Sequence, residues 1–469
     1  NNNDYYVENN NHDTMISDST GSDSVRRNFD NQDEAFYHKE DIQQQQHEQN
    51  TIKETKKKKE DNAIADGGCA GWLVVLGGVL VQFITIGIGV MQAYYEQHVF
   101  SNDGSNIRFQ LGFVSSCLFA SLNGLGAVFQ ILRSILGTRI VLVIGTLFLS
   151  TGLITAGFST QIWHLYITQG ICFGTGACFM YMTLTIIVPQ YFCRKRNLAF
   201  GIIAAGTGIG GAVIPFIMTT INKTLGSGWT YRILGFVSII FNVIICLVVK
   251  GPRYQQQTKI ERCTKKLNDI FDFQVLKNPN FVLWCLAATV QLAVYASPFF
   301  IIPTYATFYG LSDSHGSSLV TVGNIMNFFG RIICGLLADK FGPINMNIFF
   351  SSISALSCFL IWTFADNYGM MMTFMVIFGF VGGIYFTLMP TITVTILGVE
   401  KLPTGISIVL LCNVISILFT NMVSAIDSNS TSPQPFMTYK MFTGVGFSFV
   451  VIIMIWIKFR INKKIDVKV

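Results

Sequence analysis

Charged side chains are scarce in this sequence. Asp, Glu, Lys and Arg make up 12% of its 469 residues, whereas a soluble globular protein carries about 25%. Hydrophobic residues account for 51% of the chain, which also contains 42 Gly. This composition excludes an ordinary soluble enzyme, a coiled coil and a disordered chain, and it indicates a protein that crosses a membrane several times.

The motifs of several other protein classes are missing. No glycine-rich segment ends in the Gly-Lys-Ser/Thr of a phosphate-binding loop, so ATP-driven transport is not supported. The eleven cysteines show no Cys-x-x-Cys spacing and no partner histidines, and we interpret them as packing residues. No paired acids or nucleophile–base pair stand inside the apolar segments. We therefore expect no enzyme activity, no metal ion, no cofactor and no nucleic-acid partner.

Residues 1–65 differ from the rest of the chain. They are rich in Asn, Gln, Asp and Glu and end in the cluster Lys56–Lys59. Too little apolar surface is present to offset chain entropy, so we predict a disordered tail. It contains no short apolar stretch of the kind that marks a signal peptide. The tail could serve trafficking or regulation, or be a solvated extension without specific chemistry.

From Gly71 to Phe459 the chain is a series of apolar segments long enough to span a bilayer. The longest polar interruption, 251–279, is predicted to be a cytosolic loop between two six-helix bundles, 66–250 and 280–459, with a tail at 460–469. The predicted fold is an all-α membrane protein with twelve transmembrane helices in two six-helix halves. These helices are predicted at 71–95, 110–133, 139–158, 163–189, 199–221, 230–250, 280–303, 316–338, 343–364, 368–390, 403–425 and 436–458.

The positions of the basic residues predict the orientation. With the N-terminus in the cytosol, 27 of the 32 Lys and Arg residues fall in cytosolic segments. Cytosolic loops of membrane proteins carry such an excess, so both termini are predicted to be cytosolic. Two glycosylation sequons, beginning at Asn222 and Asn429, fall in predicted outer loops and agree with this orientation.

One ionised side chain, Arg331, is predicted to lie within the membrane, where a charge is costly and therefore a candidate for function. Its planar guanidinium suits a carboxylate, so it could receive the negative charge of a substrate. Alternatively, it could bind backbone carbonyls and lock the bundle. Asn324 and Asn327 precede it on one helix face, as a water-filled cavity would require.

Several neutral polar residues also lie inside the predicted helices. We select Tyr295 and Tyr385 as further candidate substrate contacts, although each could instead form a hydrogen bond between helices. Glycines concentrated in Gly201–Gly211 allow close helix approach. Five prolines in or near helix ends are expected to bend or break helices: Pro189, Pro215, Pro298, Pro303 and Pro390. The remaining polar residues of this kind are Asn123, Gln169, Tyr181, Gln291 and Asn413.

The segment Gly335–Gly342 reads Gly-Leu-Leu-Ala-Asp-Lys-Phe-Gly and resembles the cytosolic loop motif of the major facilitator superfamily. The resemblance implies a transporter in which Asp339 caps a neighbouring helix end and, with Gly335, holds the inward gate. The corresponding segment of the first half has Ser134 in place of the acid. Two parallel six-helix repeats of this kind form a known transporter architecture.

The segment Tyr191–Gly201, Tyr-Phe-Cys-Arg-Lys-Arg-Asn-Leu-Ala-Phe-Gly, is similar to the signature before helix five of the monocarboxylate porter family. Asp66–Trp72, the pair Asp272-Phe273 with Lys277–Phe281, and the helix around Gly330-Arg331 resemble other motifs of that family. The resemblance implies a carboxylate carrier in which Arg331 binds the substrate. Arg194 and Arg196 would then serve the cytosolic gate.

Two positions depart from the proton-linked animal members of that family. Those members carry a Lys in helix one, which Gly87–Gln92 lacks, and an Asp where this chain has Asn327. We therefore predict facilitated diffusion, with proton symport left open because a substrate carboxylate could carry the proton. The pattern looks more like the fungal or lower-eukaryote branch, which includes a riboflavin facilitator.

Together these features predict a secondary transporter that moves a small organic anion, a monocarboxylate, by alternating access. Its expected partners are the substrate and membrane lipid, and an accessory membrane protein is left open. We expect the protein to lie in the plasma membrane, with the vacuolar membrane as the alternative. Two alternatives remain: a facilitator of a neutral metabolite such as riboflavin, with Arg331 structural, and a non-transporting sensor that signals through its tail.

Overall fold

The computed structural model describes residues 67–86, 91, 94, 95, 99, 107–248, 273–428 and 436–461. The predicted tail 1–65, most of the predicted loop 251–279, and the sequon at Asn429 lie outside these residues. Within them, the regular elements are α-helices with short 3-10 and π segments.

Twelve helices, numbered α1 to α12, follow one another along the described chain. Three carry irregularities: α2 has two segments, α4 includes a π-helical stretch at Tyr166–Phe173, and α10 is interrupted after Gly382. The bounds are α1 Gly68–Ile86, α2 Ile107–Gly124 with Gly126–Leu136, α3 Thr138–Ala156, α4 Ile162–Tyr191, α5 Arg196–Leu225, α6 Ser227–Val248, α7 Pro279–Phe308, α8 Asp313–Phe341, α9 Pro343–Leu360, α10 Tyr368–Leu397, α11 Leu402–Ser428 and α12 Met437–Ile461. Short 3-10 turns occur at Phe273–Lys277 and Trp362–Phe364.

Most of these helices could cross a bilayer. Among the described residues, ten are long and apolar enough, and α2 is an eleventh if its segments, which meet at 46°, form one span. Helix α11 contains a shorter apolar stretch, Leu402–Ser416. The prediction of an all-α membrane protein is confirmed.

Helix α7 shows where the predicted bounds fail. The sequence predicts an end at residue 303, but the helix continues through Pro298 and Pro303 to Phe308. A proline removes only one backbone hydrogen bond, and packing among neighbouring helices compensates for that loss. Gly310, with φ of 77°, follows the helix and allows the chain to turn.

The buried apolar side chains form three clusters. One draws only on α1–α6, for example Leu149 and Phe173, and another only on α7–α12, for example Trp362 and Phe374. The third combines both regions, with Phe179 packed in the same cluster as residues such as Trp284. The boundary between the two predicted halves lies in 249–272, outside the described residues, and stays a prediction.

Helices α5 and α8 run antiparallel in close contact. A Cβ atom added to Gly201 would lie 2.6 Å from the Arg331 carbonyl oxygen, and one added to Gly208 would lie 2.8 Å from the Phe328 nitrogen. Only glycine permits this approach, which confirms the interpretation of the glycine-rich segment as a close-packing surface. It also brings the backbone of α8 at Arg331 against α5.

Helices α2 and α11 make a second antiparallel contact between the two predicted halves of the chain. The Ser407 hydroxyl donates to the Gly126 carbonyl oxygen over 3.1 Å, and the Gln130 amide donates to the Thr404 hydroxyl over 3.5 Å. Helices α2 and α8 end, and α5 and α11 begin, at one end of the bundle. We call this the Asp339 end; the sequence predicts that it faces the cytosol.

Candidate functional site

Arg331 lies in the interior of α8 and is 2% exposed. Its Nε donates to the Gly383 carbonyl oxygen over 3.1 Å, and its Nη1 donates to the Ala204 carbonyl oxygen over 2.6 Å and to the Thr207 hydroxyl. Its Nη2 donates to the Tyr295 hydroxyl over 3.4 Å. The guanidinium therefore binds α5, α7 and α10 simultaneously.

The surroundings explain how this charge is accommodated. The interruption of α10 leaves the Gly383 carbonyl outside the helical ladder, because the Thr387 amide donates instead to Ile384. The Phe386 ring lies 4.9 Å from the guanidinium carbon and adds a cation–π contact. A buried charge requires hydrogen bonds, and in the described part of the chain those of Arg331 end on carbonyl and hydroxyl oxygens, none of them a carboxylate.

The predicted polar stripe on α8 divides between two interfaces. Asn324 donates to the Gly211 carbonyl of α5 over 3.4 Å, whereas Asn327 donates to the Tyr295 hydroxyl of α7 over 3.0 Å. Asn324 and Arg331 are about two turns apart and share the face toward α5, while Asn327 is rotated away from it. Of the two asparagines, only Asn327 shares a hydrogen-bond partner, Tyr295, with Arg331.

Tyr385 lies in the same region but does not contact Arg331 by a hydrogen bond. It is fully buried, and its hydroxyl accepts from the Asn413 amide of α11 over 2.6 Å. Its ring centroid is 5.3 Å from that of Phe386, the residue that packs on the guanidinium. The structure thus brings Tyr295, Asn327 and Tyr385 around Arg331 and turns Asn324 toward α5; substrate binding by these residues stays a prediction.

Asp339 lies against the first turn of α5. Its Oδ1 accepts from the backbone and side-chain nitrogens of Asn197, both over 2.9 Å, and its Oδ2 accepts from the Leu198 backbone nitrogen over 3.0 Å. A carboxylate is favourable there because the first amides of a helix lack intrahelical partners and carry the positive end of the dipole. A Cβ atom on Gly335 would lie 2.6 Å from the Asn197 carbonyl oxygen, so glycine allows this contact.

Arg194 and Arg196 lie beside Asp339. Arg194 is exposed, whereas Arg196 is partly buried and its Nε donates to the Phe192 carbonyl oxygen over 3.3 Å. The predicted gating residues therefore meet at the Asp339 end, although gating itself stays a prediction. A cleft of about 450 Å³ is lined there by Cys193, Arg194, Arg196, Asn197, Asp339, Pro343, Thr391 and Thr395.

The structure does not favour Asn222 as a glycosylation site. The sequence predicts a helix end at residue 221, but α5 continues to Leu225, so Asn222 is helical and only 4% exposed. Its amide oxygen accepts from the Thr230 hydroxyl over 2.5 Å, and its nitrogen contacts the Met91 sulfur at 3.4 Å. Glycosyl transfer needs an accessible asparagine, and both ends of this amide are engaged.

Sequence reasoning missed a second buried cation. Lys440 in α12 is 6% exposed, and its Nζ donates to the Tyr305 hydroxyl over 2.9 Å and to the Thr363 carbonyl oxygen over 3.3 Å. Arg331 is therefore not the only buried cation in the described part of the chain, while its predicted position within the membrane stays a prediction. The sequence did contain an indication of this burial, because Lys440 falls inside the predicted helix 436–458. Thr207 was also missed, since nothing distinguishes one threonine within a glycine-rich helix.

A comparison with protein families decides what this architecture is. Residues 74–421 match the family described as Major Facilitator Superfamily. The chain belongs to the Major Facilitator Superfamily. Members of this family are secondary transporters of small molecules rather than enzymes. In the ranges that the structure describes, no group of three His, Cys, Asp or Glu residues is placed to hold a metal ion.

Three fungal proteins illustrate the relatives. The chain is 28% identical over 335 residues to the MFS transporter asaE of Aspergillus flavus, covering 71% of this chain and 74% of that one. It is 28% identical over 357 residues to the probable transporter MCH2 of Saccharomyces cerevisiae, covering 72% of each. It is also 28% identical over 318 residues to the agnestins efflux protein AgnL12 of Paecilomyces divaricatus, covering 66% and 70%.

Solved structures support the fold. The proton:xylose symporter XylE aligns with a TM-score of 0.65 and 13% identity, over 84% of this chain and 94% of that one. The fucose:proton symporter FucP of E. coli aligns with a TM-score of 0.63 and 13% identity, over 82% and 97%. At this identity the likeness concerns the fold alone, so the major facilitator fold is confirmed while the cargo is left to the chemistry of the site.

Proposed function

We propose that this protein carries a small organic anion, a monocarboxylate, by alternating access, and that Arg331 receives the carboxylate. The observation that carries this proposal is the buried guanidinium between α5, α7 and α10, whose described hydrogen-bond partners include no carboxylate. Such a cation retains its net charge within the membrane and attracts an anion. Its planar fork matches a carboxylate with two parallel hydrogen bonds.

The hydrogen bonds of Arg331 suggest how binding is coupled to movement. Ala204 and Thr207 belong to the first predicted half, and Arg331 belongs to the second. Opening of the Asp339 end separates α5 from α8 and breaks both bonds. A carboxylate then replaces these two oxygens as the partner of the guanidinium, so the charge stays paired in both states.

A second candidate function is favoured by a different feature of the same site. Four of the five N–H groups of Arg331 already donate to protein oxygens. If these bonds persist through the cycle, Arg331 is structural and the cargo is a neutral metabolite such as riboflavin. The sensor alternative depends on residues 1–65, which lie outside the described residues.

Orientation and energetics form part of the proposal. The excess of Lys and Arg in alternate loops supports cytosolic termini. We propose the plasma membrane as the location of the protein, with the vacuolar membrane as the alternative. Facilitated diffusion is supported by Asn327, which is neutral and bonded to Tyr295 where a proton-linked porter would carry an acid. Uptake driven by a pH gradient would instead indicate proton symport.

The test is counterflow in proteoliposomes with labelled pyruvate, lactate, acetate and riboflavin. The variants are Arg331→Ala and Arg331→Lys, with Arg232→Gln as the matched control. Arg232 also donates to a carbonyl oxygen, that of Gly157 over 3.2 Å, and lies 3.9 Å from the ring of Phe158, but it belongs to α6. We expect the wild type and Arg232→Gln to exchange a carboxylate and Arg331→Ala to lose that exchange. Exchange of riboflavin alone, unaffected by Arg331→Ala, would support the neutral-metabolite facilitator.

A further inference from the structure

Three buried polar atoms in the region of Arg331 have no hydrogen-bond partner among the residues that the structure describes: the Tyr181 hydroxyl, Oδ1 of Asn327 and Oδ1 of Asn413. Asn327 and Asn413 are each 1% exposed. A buried polar atom without a partner is costly, especially in a membrane, where an apolar side chain of the same size avoids that cost. Each such atom in a native structure needs an explanation, and a bound water or ligand group is one.

These atoms belong to three helices, α4, α8 and α11. The Tyr181 hydroxyl is near enough to interact electrostatically with both Arg331 and Tyr385. Asn327 and Arg331 both donate to the Tyr295 hydroxyl, and Asn413 reaches the region by its bond to Tyr385. The residues that carry the unpartnered atoms are therefore linked to Arg331 either directly or through Tyr295 and Tyr385.

A comparison with α6 shows why convergence matters. Asn242 of α6 is also 1% exposed, and neither end of its amide has a partner. Helix α6, however, contributes none of the groups that bind Arg331 or that bond to Asn327 and Asn413. One unpartnered amide by itself identifies no site, whereas three unpartnered groups beside a buried cation do.

The chemistry of the missing group follows from the amides. One end of the Asn327 amide forms a hydrogen bond with the Tyr295 hydroxyl over 3.0 Å. One end of the Asn413 amide forms a hydrogen bond with the Tyr385 hydroxyl over 2.6 Å. A phenol both donates and accepts, so either end of the amide can face it. In both orientations the other end stays unpaired, as an acceptor or a donor. A hydroxyl group satisfies either case, because it also donates and accepts.

We propose that Tyr181, Asn327 and Asn413 form a second subsite that binds a hydroxyl group of the cargo while Arg331 holds its carboxylate. This inference rests on the proposed function and narrows its substrate class to hydroxycarboxylates. Asn413 and Tyr181 become specificity-determining residues. Tyr295 and Tyr385 act as positioning residues that orient the two amides.

The experiment uses pairs of carboxylates that differ by one hydroxyl: lactate with propionate, and 3-hydroxybutyrate with butyrate. Each compound competes against labelled lactate and against labelled propionate in counterflow, and the ratio of half-inhibitory concentrations within a pair is measured. A site built to bond a hydroxyl rejects the analogue that lacks it, so we expect wild type to prefer the hydroxylated member about tenfold. Asn413→Leu lowers the ratio to about two or less.

Two further variants make the result decisive. Tyr181→Phe removes one hydroxyl with little change in shape, and we expect it to lower the ratio as well. This variant keeps the proposal testable if Asn413→Leu does not fold. Asn242→Leu is the matched control, a buried and unpartnered asparagine of α6, and it leaves the ratio unchanged.

The outcomes separate the two proposals. Exchange of both members of each pair with a ratio near one in the wild type overturns the hydroxyl subsite and leaves the anion porter intact. A ratio that Asn413→Leu and Tyr181→Phe leave unchanged also overturns the subsite, since water would then fill these positions. If the wild type exchanges no carboxylate, the proposed function fails and the subsite fails with it.

Discussion

Among the described residues two cations are buried, Arg331 and Lys440, and their surroundings differ in one respect. Arg331 is 2% exposed and Lys440 is 6% exposed, and both donate to tyrosine hydroxyl and backbone carbonyl oxygens. The partners of Arg331 come from both predicted halves of the chain. Those of Lys440, Tyr305 and Thr363, come from the second half alone. The two sites are therefore matched in burial and chemistry but not in what they connect.

In the proposed transport cycle this difference gives the two charges separate roles. The Tyr305 hydroxyl, which accepts from Lys440, itself donates to the Ala365 carbonyl oxygen over 2.9 Å. Lys440 thus ties α12 to α7 and to the segment after α9, and these elements stay together if the halves move as rigid units. The bonds of Arg331 to α5 do not survive such a movement. Burial alone does not distinguish the two charges, whereas the location of their hydrogen-bond partners does.

The largest effect is expected from Arg331→Ala. Removal of a buried, hydrogen-bonded charge that binds the cargo typically costs a few kcal/mol, so kcat/KM for carboxylate exchange should fall by about 100-fold or more. Initial rates in proteoliposomes, corrected for the amount of folded protein inserted, provide the measurement. A fall of less than about threefold would place Arg331 with Lys440 among the structural charges.

The next effect concerns Asp339, which closes the same interface. In Asp339→Asn one carboxylate oxygen becomes an NH₂ group, so at least one of the bonds from Asn197 and Leu198 is lost. Amide hydrogen exchange in the first turn of α5 should accelerate about tenfold, because one charge-assisted bond no longer opposes opening. Asp313→Asn, at the other end of α8, is the control and should leave this peptide unchanged. Equal exchange in Asp339→Asn and wild type would contradict the capping role.

A smaller effect is expected from Thr207→Val. This change removes one α5 acceptor from Arg331 and keeps the Ala204 carbonyl. If the anion and α5 compete for the guanidinium, weakening α5 favours the anion, and KM for the carboxylate should decrease about fivefold. Thr219→Val on the same helix is the control, since among the described residues its hydroxyl bonds only to the Pro215 carbonyl. An increase in KM would indicate that Thr207 contacts the cargo instead.

The smallest effect on transport is expected from Lys440→Met. Its partners lie within one half, so KM and rate should stay within about twofold of wild type. Thermal stability should decrease, because the Tyr305 hydroxyl and the Thr363 carbonyl lose a charged donor. Thermal unfolding and transport are to be measured on the same preparation. A tenfold change in KM with unchanged stability would remove the distinction between the two cations.

The helices could be predicted because their signal is local. An apolar run of about 20 residues needs no knowledge of its neighbours to be recognised as a span, and the family motifs at Gly335–Gly342 and Tyr191–Gly201 are contiguous. The errors occurred at ends. Helix α7 runs past Pro303 and α5 runs past Asn222 because tertiary packing stabilises turns whose sequence alone favours termination.

The side-chain partners in the site could not be predicted in the same way. The 3.6-residue period places Asn324 near the face of Arg331, yet it cannot say that α5 lies on that face and α7 beside Asn327. Which helices become neighbours depends on contacts between residues more than 100 positions apart, such as Arg331 with Ala204. The residue types therefore predicted a membrane transporter with one intramembrane arginine. The packing of α5 against α8 decided that this arginine bridges the two predicted halves, because a charge without a carboxylate partner binds the oxygens that the fold brings within reach.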